Sequence, residues 1–313
     1  MNIGIDMMGG DYAPEEAVKG IANYLSTCET PSKLTLIGDE LQIFSLLNSY
    51  NVNAEHINII HANEVIGMHE HPTKALKEKP GCSISVGFKL LSTNAIDAFI
   101  SAGNTGAMMV GALYSIKTIQ GVSRPTIGAY LPKEDGTLGL LLDVGLNSDC
   151  KPENLLQFAL LGSLYSKHIL EIENPRIGLI NLGEEEGKGN LLTQAAFQLF
   201  KENSKINFIG NIEGRDLLTN KADVMVCDGF TGNVLLKFAE SFYDLTKRRN
   251  IKDEHLERFN FEIYGGVPVL GVKKPVIIGH GISHANAFKS MISIAEKMLK
   301  QNMACLIEEN FTD

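Results

Sequence analysis

Tryptophan is absent from these 313 residues and cysteine is scarce. The five cysteines, Cys28, Cys82, Cys150, Cys227 and Cys305, are odd in number, scattered, and never form a CxxC pair. That usage excludes a disulfide framework and fits a reducing compartment. No uninterrupted apolar run reaches the ~18 residues of a membrane-spanning helix. Basic residues are in deficit, 28 Lys and Arg against 37 Asp and Glu for a net charge of −9, which argues against general binding of nucleic acid. The chain opens on a strand-like NIGID rather than a charged leader with an apolar core. The expectation is a cytoplasmic protein, at most peripheral at a membrane.

Nucleotide signatures are missing too. In RIGLINLGEEEGKGN, residues 176–190, the spacing from Gly183 to Gly187 is one residue short of a Walker A loop, and Lys188 is followed by Gly189 rather than Ser or Thr. The glycine order of the dinucleotide fingerprint is absent as well. What is there is an apolar strand emptying into a loop of glycines and one lysine, with a helical pattern beginning near Leu191. Such a loop turns backbone N–H groups toward one point, and the helix N-terminus and Lys188 add positive charge. A single phosphate fits better than a polyphosphate, which Glu184, Glu185 and Glu186 would repel unless they point away. A solvated strand-to-helix turn is the competing reading.

Two further loops share the design. SAGNTG follows a strand near 95–101, and DGFTGN follows one near 222–227. For each alone, helix capping by Asn, Thr or Asp is a sufficient explanation. Ligands of open α/β sheets bind beyond the carboxyl ends of strands, where such loops gather. Strand-like runs near 2–6, 33–38, 57–61, 95–101, 126–131, 137–143, 176–182, 206–210, 222–227 and 275–279 alternate with helical patterns. The fold class predicted is three-layer α/β/α with a mostly parallel sheet. The pair 126–131 and 137–143, separated only by Pro132 to Gly136, makes the sheet mixed through an antiparallel hairpin. One domain over 1–313 is expected, with a waist near 145–175 and a closing helix near 283–303.

Together, IDMMGGDYAP at 5–14, SAGNTGAMM at 101–109, LLDVGLNSDCKPENLLQFA at 141–159, NLGEEEGKGN at 181–190, FIGNIEGRD at 208–216, DGFTGNVLLK at 228–237, and YGGVPVLGV with IIGHG between 264 and 281 resemble the bacterial phosphate acyltransferases. The resemblance runs from end to end. It implies an isocitrate-dehydrogenase/phosphotransacetylase-like fold and a homodimer. The implied reaction makes acyl phosphate from acyl-acyl-carrier-protein and inorganic phosphate, feeding glycerol-3-phosphate acylation in phospholipid synthesis. It implies no cofactor and no metal, acyl carrier protein as donor, and a glycerol-3-phosphate acyltransferase as partner at the membrane.

That chemistry needs an anion cradle and donors for a tetrahedral oxyanion. The residues expected to supply them are Lys188, Asn190 and the backbone at Gly187 and Gly189, with Asn104, Thr105 and Gly106 completing the cradle and Thr231 and Asn233 behind them. His280, displayed between glycines after a strand, is the expected general base or donor, and a hydrogen-bonded structural histidine is its competing reading. Asp6 and Asp143 follow strands and line the expected cleft, where carboxylates more naturally orient donors or cap helices. Cys150, near a predicted helix N-terminus, offers a covalent alternative through a lowered thiol pKa, but a small buried residue is the favoured reading, because a cradle that binds phosphate directly makes an acyl-enzyme superfluous. Cys227, at a strand end, reads as a buried structural thiol. His69 and His71 lack a third metal ligand nearby.

Docking of an acidic carrier protein on this acidic chain requires a local basic patch. Lys247, Arg248, Arg249 and Lys252 are the densest candidate, with Lys273 and Lys274 next; a solvated helix end, where cations are favoured anyway, is the competing reading. Two departures from the family pattern stand out: HGISHA where members carry HGSSNA, and a helical hairpin shortened to the stretch 238–262. A coenzyme-A-dependent phosphotransacetylase and a non-catalytic phosphate- or acyl-binding regulator are the competing functions.

Overall fold

The computed structural model describes residues 1–260 and 263–312. The chain divides into two compact units, Met1–Thr118 with Phe261–Ala304, and Ile119–Asn260 with Cys305–Asp313. The stretch 145–175, expected as a waist, lies wholly inside the second unit.

Unit 1 is built on β1 (Asn2–Asp6), β2 (Lys33–Gly38), β3 (Ile57–His61), β4 (Ala98–Ser101), β10 (Gly266–Leu270) and β11 (Val276–Gly279), in the spatial order β3-β2-β1-β4-β11-β10. All neighbours are parallel except β10, which runs antiparallel to β11. Central strands read as continuous apolar runs because both faces are covered: Ile3, Ile5, Leu34, Leu36, Phe99 and Ile100 are buried. One set of helices, α1 (Glu15–Thr27) with α10 (Ala285–Lys300), and another, α4 (Ser83–Ser92) with α5 (Thr105–Gly111), pack against them. From β1 the chain winds outward through β2 and β3, then returns to place β4 on the other side of β1. The boundary between β1 and β4 is therefore a topological switch point.

Unit 2 contains β5 (Thr126–Pro132), β6 (Leu138–Leu142), β7 (Arg176–Ile180), β8 (Asn207–Ile212) and β9 (Val224–Val226), in the order β5-β6-β9-β7-β8. The hairpin expected around Pro132–Gly136 is present, with Ala129 opposite Leu141 and Leu131 opposite Gly139. β6, β9, β7 and β8 are parallel. α6 (Pro152–His168) and α7 (Leu191–Glu202) pack together, and α8 (Gly229–Arg249) contacts β6. From β7 the chain winds outward to β8, then comes back to lay β9 on the opposite flank. Here the switch point lies between β7 and β9.

The shortened hairpin comprises α8 and a single turn, α9 (Glu254–Glu257), joined through a left-handed Asn250 and packed through Phe242 against Phe259. The remainder of that stretch, residues 261–262, lies outside the described residues. The closing helix is split into α10 and α11 (Met303–Thr312). No helix among the described residues is long and apolar enough to cross a membrane.

Candidate active site

A cleft of about 310 Å³ opens at the switch point of unit 2, walled by Asn181, Leu182, Asn190 and Thr193 on the β7 side and by Asp228 and Thr231 on the β9 side. The loop between β7 and α7 is held by side chains that occupy its carbonyls. Asn181 Nδ2 donates to the Lys188 carbonyl at 3.0 Å, and Gln194 Nε2 donates to those of Gly187 and Gly189 at 3.0 and 3.1 Å. A peptide's N–H points opposite to its C=O, so bracing the carbonyls of Lys188 and Gly189 turns the following amides, those of Gly189 and Asn190, outward. Among the described residues the N–H groups of Gly189 and Asn190 have no acceptor. With the first amides of α7 they form an unsatisfied donor cluster at the positive end of a helix dipole. Gly189 makes the turn possible. Its φ is +101°, and a Cβ there would lie 2.3 Å from Asn181 Oδ1 and 2.1 Å from Thr193 Oγ1.

Lys188 is exposed and forms no ion pair among the described residues. The acidic run beside it is partly neutralised: Glu184 binds Lys221 at 2.5 Å and Glu186 binds Lys201 at 3.0 Å. Asn190 caps α7, its Oδ1 accepting from the Thr193 amide at 2.9 Å. Asp228 caps α8 and takes both the amide and the hydroxyl of Thr231, at 2.9 and 2.8 Å. Asn233 Nδ2 donates to the Val144 carbonyl at 3.1 Å. Asp143 is buried and accepts from the amide and Nδ2 of Asn147, both at 2.7 Å, and from the Ile127 amide at 3.2 Å. Burial pushes its carboxyl above the usual range, against those hydrogen bonds. Asp143 thus folds the loop after β6, with no atom facing outward.

In unit 1 the loops after β1, β4 and β11 converge at the carboxyl ends of the strands. The Asp11 amide donates to the Gly281 carbonyl at 2.7 Å, and a Cβ on Gly9 would lie 2.6 Å from the Gly103 nitrogen. Asp6 is buried, and its Oδ2 accepts from Ser101 Oγ at 2.6 Å; burial raises its pKa although Ser101 and the Met8 amide oppose the rise. Asn104, expected to touch phosphate, spends its side chain elsewhere. Its Oδ1 caps α5 at the Ala107 amide, and its Nδ2 donates to the carbonyls of Gly67, Met68 and Glu70 at 3.0–3.2 Å. It is a clamp between two loops. Thr105 is exposed in the first turn of α5, and Gly106 lets that helix approach Pro72, 2.3 Å from where a Cβ would sit. His280 is half-buried just past β11, and its carbonyl accepts from the Ser283 amide at 3.0 Å. His284, at the family departure, stacks on Tyr12 with ring centroids 4.4 Å apart and lies 3.4 Å from Glu16.

The candidates therefore divide, with Lys188, Asn190, Thr231, Asn233 and Asp143 in unit 2 and Asp6, Asn104, Thr105, Gly106 and His280 in unit 1. Sequence reasoning missed Asn181 and Gln194. An Asn at a strand end before a glycine loop is a turn signal and marks Asn181; nothing local marks Gln194.

The covalent alternative at Cys150 is disfavoured, in line with the structural reading that the sequence favours. Burial and the carboxylates of Asp143 and Asp228 push its thiol up to about 11, outweighing any helix effect, and Lys151 rather than Cys150 is the cap of α6. Burial likewise pushes the Cys227 thiol well up. Lys247, Arg248 and Arg249 are exposed in the last turn of α8, and Lys247 sits 4.0 Å from Glu257 and 4.9 Å over the Tyr243 ring. Lys274 is no docking cation: its Nζ donates to the carbonyls of Leu91 and Ile96. No metal-holding group of three or more His, Cys, Asp or Glu side chains occurs among the described residues.

Among solved structures, a phosphotransacetylase from Streptococcus pyogenes superposes with a TM-score of 0.64 at 19% identity, over 96% of this chain and 94% of that one. The EutD phosphotransacetylase from Staphylococcus aureus gives 0.62 at 17% identity, over 95% and 94%. The fold is that of the phosphotransacetylases. The family model described as fatty acid synthesis protein matches residues 1–306. The phosphate acyltransferase of Dictyoglomus turgidum is 44% identical over 323 residues, 96% of this chain and 94% of that one, and that of Halothermothrix orenii is 43% identical over 329 residues, 99% and 98%. This chain belongs to the phosphate acyltransferase family.

Proposed function

We propose that this protein transfers a fatty acyl group from acyl-acyl-carrier-protein to inorganic phosphate, supplying acyl phosphate for phospholipid synthesis. The observation that carries the reading is the loop 181–190, where Lys188 and the unbonded amides of Gly189 and Asn190 stand at the N-terminus of α7 beside the switch-point cleft. Phosphate held there presents an oxygen to the thioester carbonyl. The cradle's work is to fix the nucleophile and spread its charge, because thiolate, with a free-thiol pKa near ~8.5, leaves without strong acid help. Asn233 and Thr231 are the next candidates around the bound anion. Asp6, Asp143 and Asn104 serve by shaping loops.

The carrier protein is proposed to dock on Lys247, Arg248 and Arg249. α8 spans 21 residues, roughly 30 Å at 1.5 Å per residue, so it links a basic end to an end at the cleft. Phe230, Val234 and Phe238, exposed at four-residue spacing along α8, support a homodimer contact.

The test is phosphate-dependent release of free carrier thiol from palmitoyl-acyl-carrier-protein, run beside palmitoyl-coenzyme A and with Lys188→Ala. Turnover with the carrier donor, largely lost in the variant, is expected. Equal turnover with coenzyme A replaces this reading with a phosphotransacetylase, and no release from either donor removes the enzyme reading.

A further inference from the structure

We infer that Asn211 and Asn181, at the carboxyl ends of β8 and β7, are positioning residues that fix where Lys188 and the Gly189 amide meet phosphate. This rests on the reading of Lys188 as a phosphate ligand. Lys188 sits in an exposed loop, yet both of its peptide groups are tied to the sheet. Its carbonyl accepts from Asn181 Nδ2 at 3.0 Å. Its amide donates to the Glu185 carbonyl at 3.0 Å, and that same carbonyl accepts from Asn211 Nδ2 at 3.1 Å. The two asparagines are themselves held in register, since the Asn181 amide donates to the Ile212 carbonyl at 2.8 Å and Asn181 Oδ1 takes the Leu182 amide at 2.8 Å.

Asn211 is 4% exposed, and its Oδ1 has no donor among the described residues. A buried acceptor left unpaired is unfavourable, and a leucine of similar size would fill the site without it. The amide is explained by what its nitrogen does, which is to anchor Glu185 and, through Glu185, the turn that presents Lys188. Sites braced by strand ends hold their geometry better than sites left to a loop alone. With Asn211 removed, Lys188 keeps its charge but loses its placement.

The experiment measures kcat and the KM for inorganic phosphate in the full-length enzyme for wild type, Asn211→Ala, Lys188→Ala and the double variant. Asn211→Ala is expected to raise the phosphate KM about tenfold, a misplacement effect on a binding group, with the acyl-donor KM unchanged. In the double variant the phosphate KM should rise by clearly less than the product of the two single effects, because once the Lys188 ammonium is gone Asn211 has only the Gly189 amide left to position. Multiplying effects, or an unchanged phosphate KM in Asn211→Ala, overturn the inference. If Asn211→Ala does not fold, Asn181→Ala carries the same expectation and the same refutation. Should wild type show no turnover or Lys188→Ala no loss, the functional reading itself has failed; phosphorus NMR line broadening of inorganic phosphate by wild type and Asn211→Ala then tests the loop alone, and equal broadening overturns the positioning role.

Discussion

The Lys133 ammonium lies 2.9 Å from Asp223 Oδ1 with both side chains buried, and Arg176 Nε meets the other carboxylate oxygen at 2.9 Å. Lys133 follows β5, Asp223 precedes β9 and Arg176 opens β7, so this triad sits at the strand ends opposite the cleft. Asp223→Ala strands a buried ammonium and should destabilise the protein by ~3–5 kcal/mol, read from urea denaturation. Turnover per folded molecule should not change.

The same triad sets a pH dependence. Burial works to raise the Asp223 pKa, but the hydrogen bonds from Arg176 and Lys133 outweigh it and hold the carboxyl at about 2. The folded value is below the unfolded one, so the contribution is fully present above pH ~4 and is lost as pH falls through about 2. It amounts to roughly 2 kcal/mol. Denaturation midpoints should fall more steeply between pH ~4 and ~2 in wild type than in Asp223→Asn, and parallel curves would reject the assignment.

Cys150 is expected to be dispensable. With its thiol at about 11, almost none is thiolate at neutral pH, and alkylation should accelerate only as pH climbs toward that value. Cys150→Ala should keep turnover within about twofold, the scale of a group outside the chemistry. A burst of carrier thiol before steady state, lost in Cys150→Ala, would restore the acyl-enzyme route.

The strand pattern was legible because buried parallel strands carry continuous apolar runs; β1 and β2 fall where those runs lie. β10 was not, because GVPVL is short and carries Pro268, which cannot donate to a ladder. The division into units was hidden as well: the chain passes between them without any Pro- or Ser-rich linker. At the site, glycine and lysine content marked the candidate anion loop after β7, whereas the clamp role of Asn104 depends on carbonyls more than thirty residues earlier. An asparagine in a Gly-rich loop reads the same as cap, clamp or ligand. For Cys150 the helix-terminus argument, the lesser of the two readings, misses that Asp228 comes close only in the folded chain.

The basic end of α8 gives an electrostatic prediction. Arg248 and Arg249 are exposed without ion pairs among the described residues, so reversing them to Glu should leave the fold intact. The KM for acyl-acyl-carrier-protein should rise about tenfold at low salt, with the difference shrinking as ionic strength grows, while the phosphate KM stays put. A salt-independent effect, or none, would place docking elsewhere.

Two glycines two residues apart in the candidate cradle should respond in opposite ways. A Cβ on Gly187 meets nothing within 4 Å, and its φ is not positive, so Gly187→Ala is expected to keep the phosphate KM within about twofold. Gly189 combines a φ of +101° with a Cβ position overlapping Thr193 and Asn181. Gly189→Ala must rotate the peptide out of the left-handed region, at a local cost of about 1–3 kcal/mol. The same rotation turns the Gly189 and Asn190 amides away from the anion. That cost falls on the folded state, so the thermal midpoint should drop by about a few degrees while the phosphate KM rises by about tenfold or more. Measuring both KM values with thermal midpoints separates the cases: similar losses in the two variants would mean that glycine flexibility as such, and not the turned amide at 189, sustains phosphate binding.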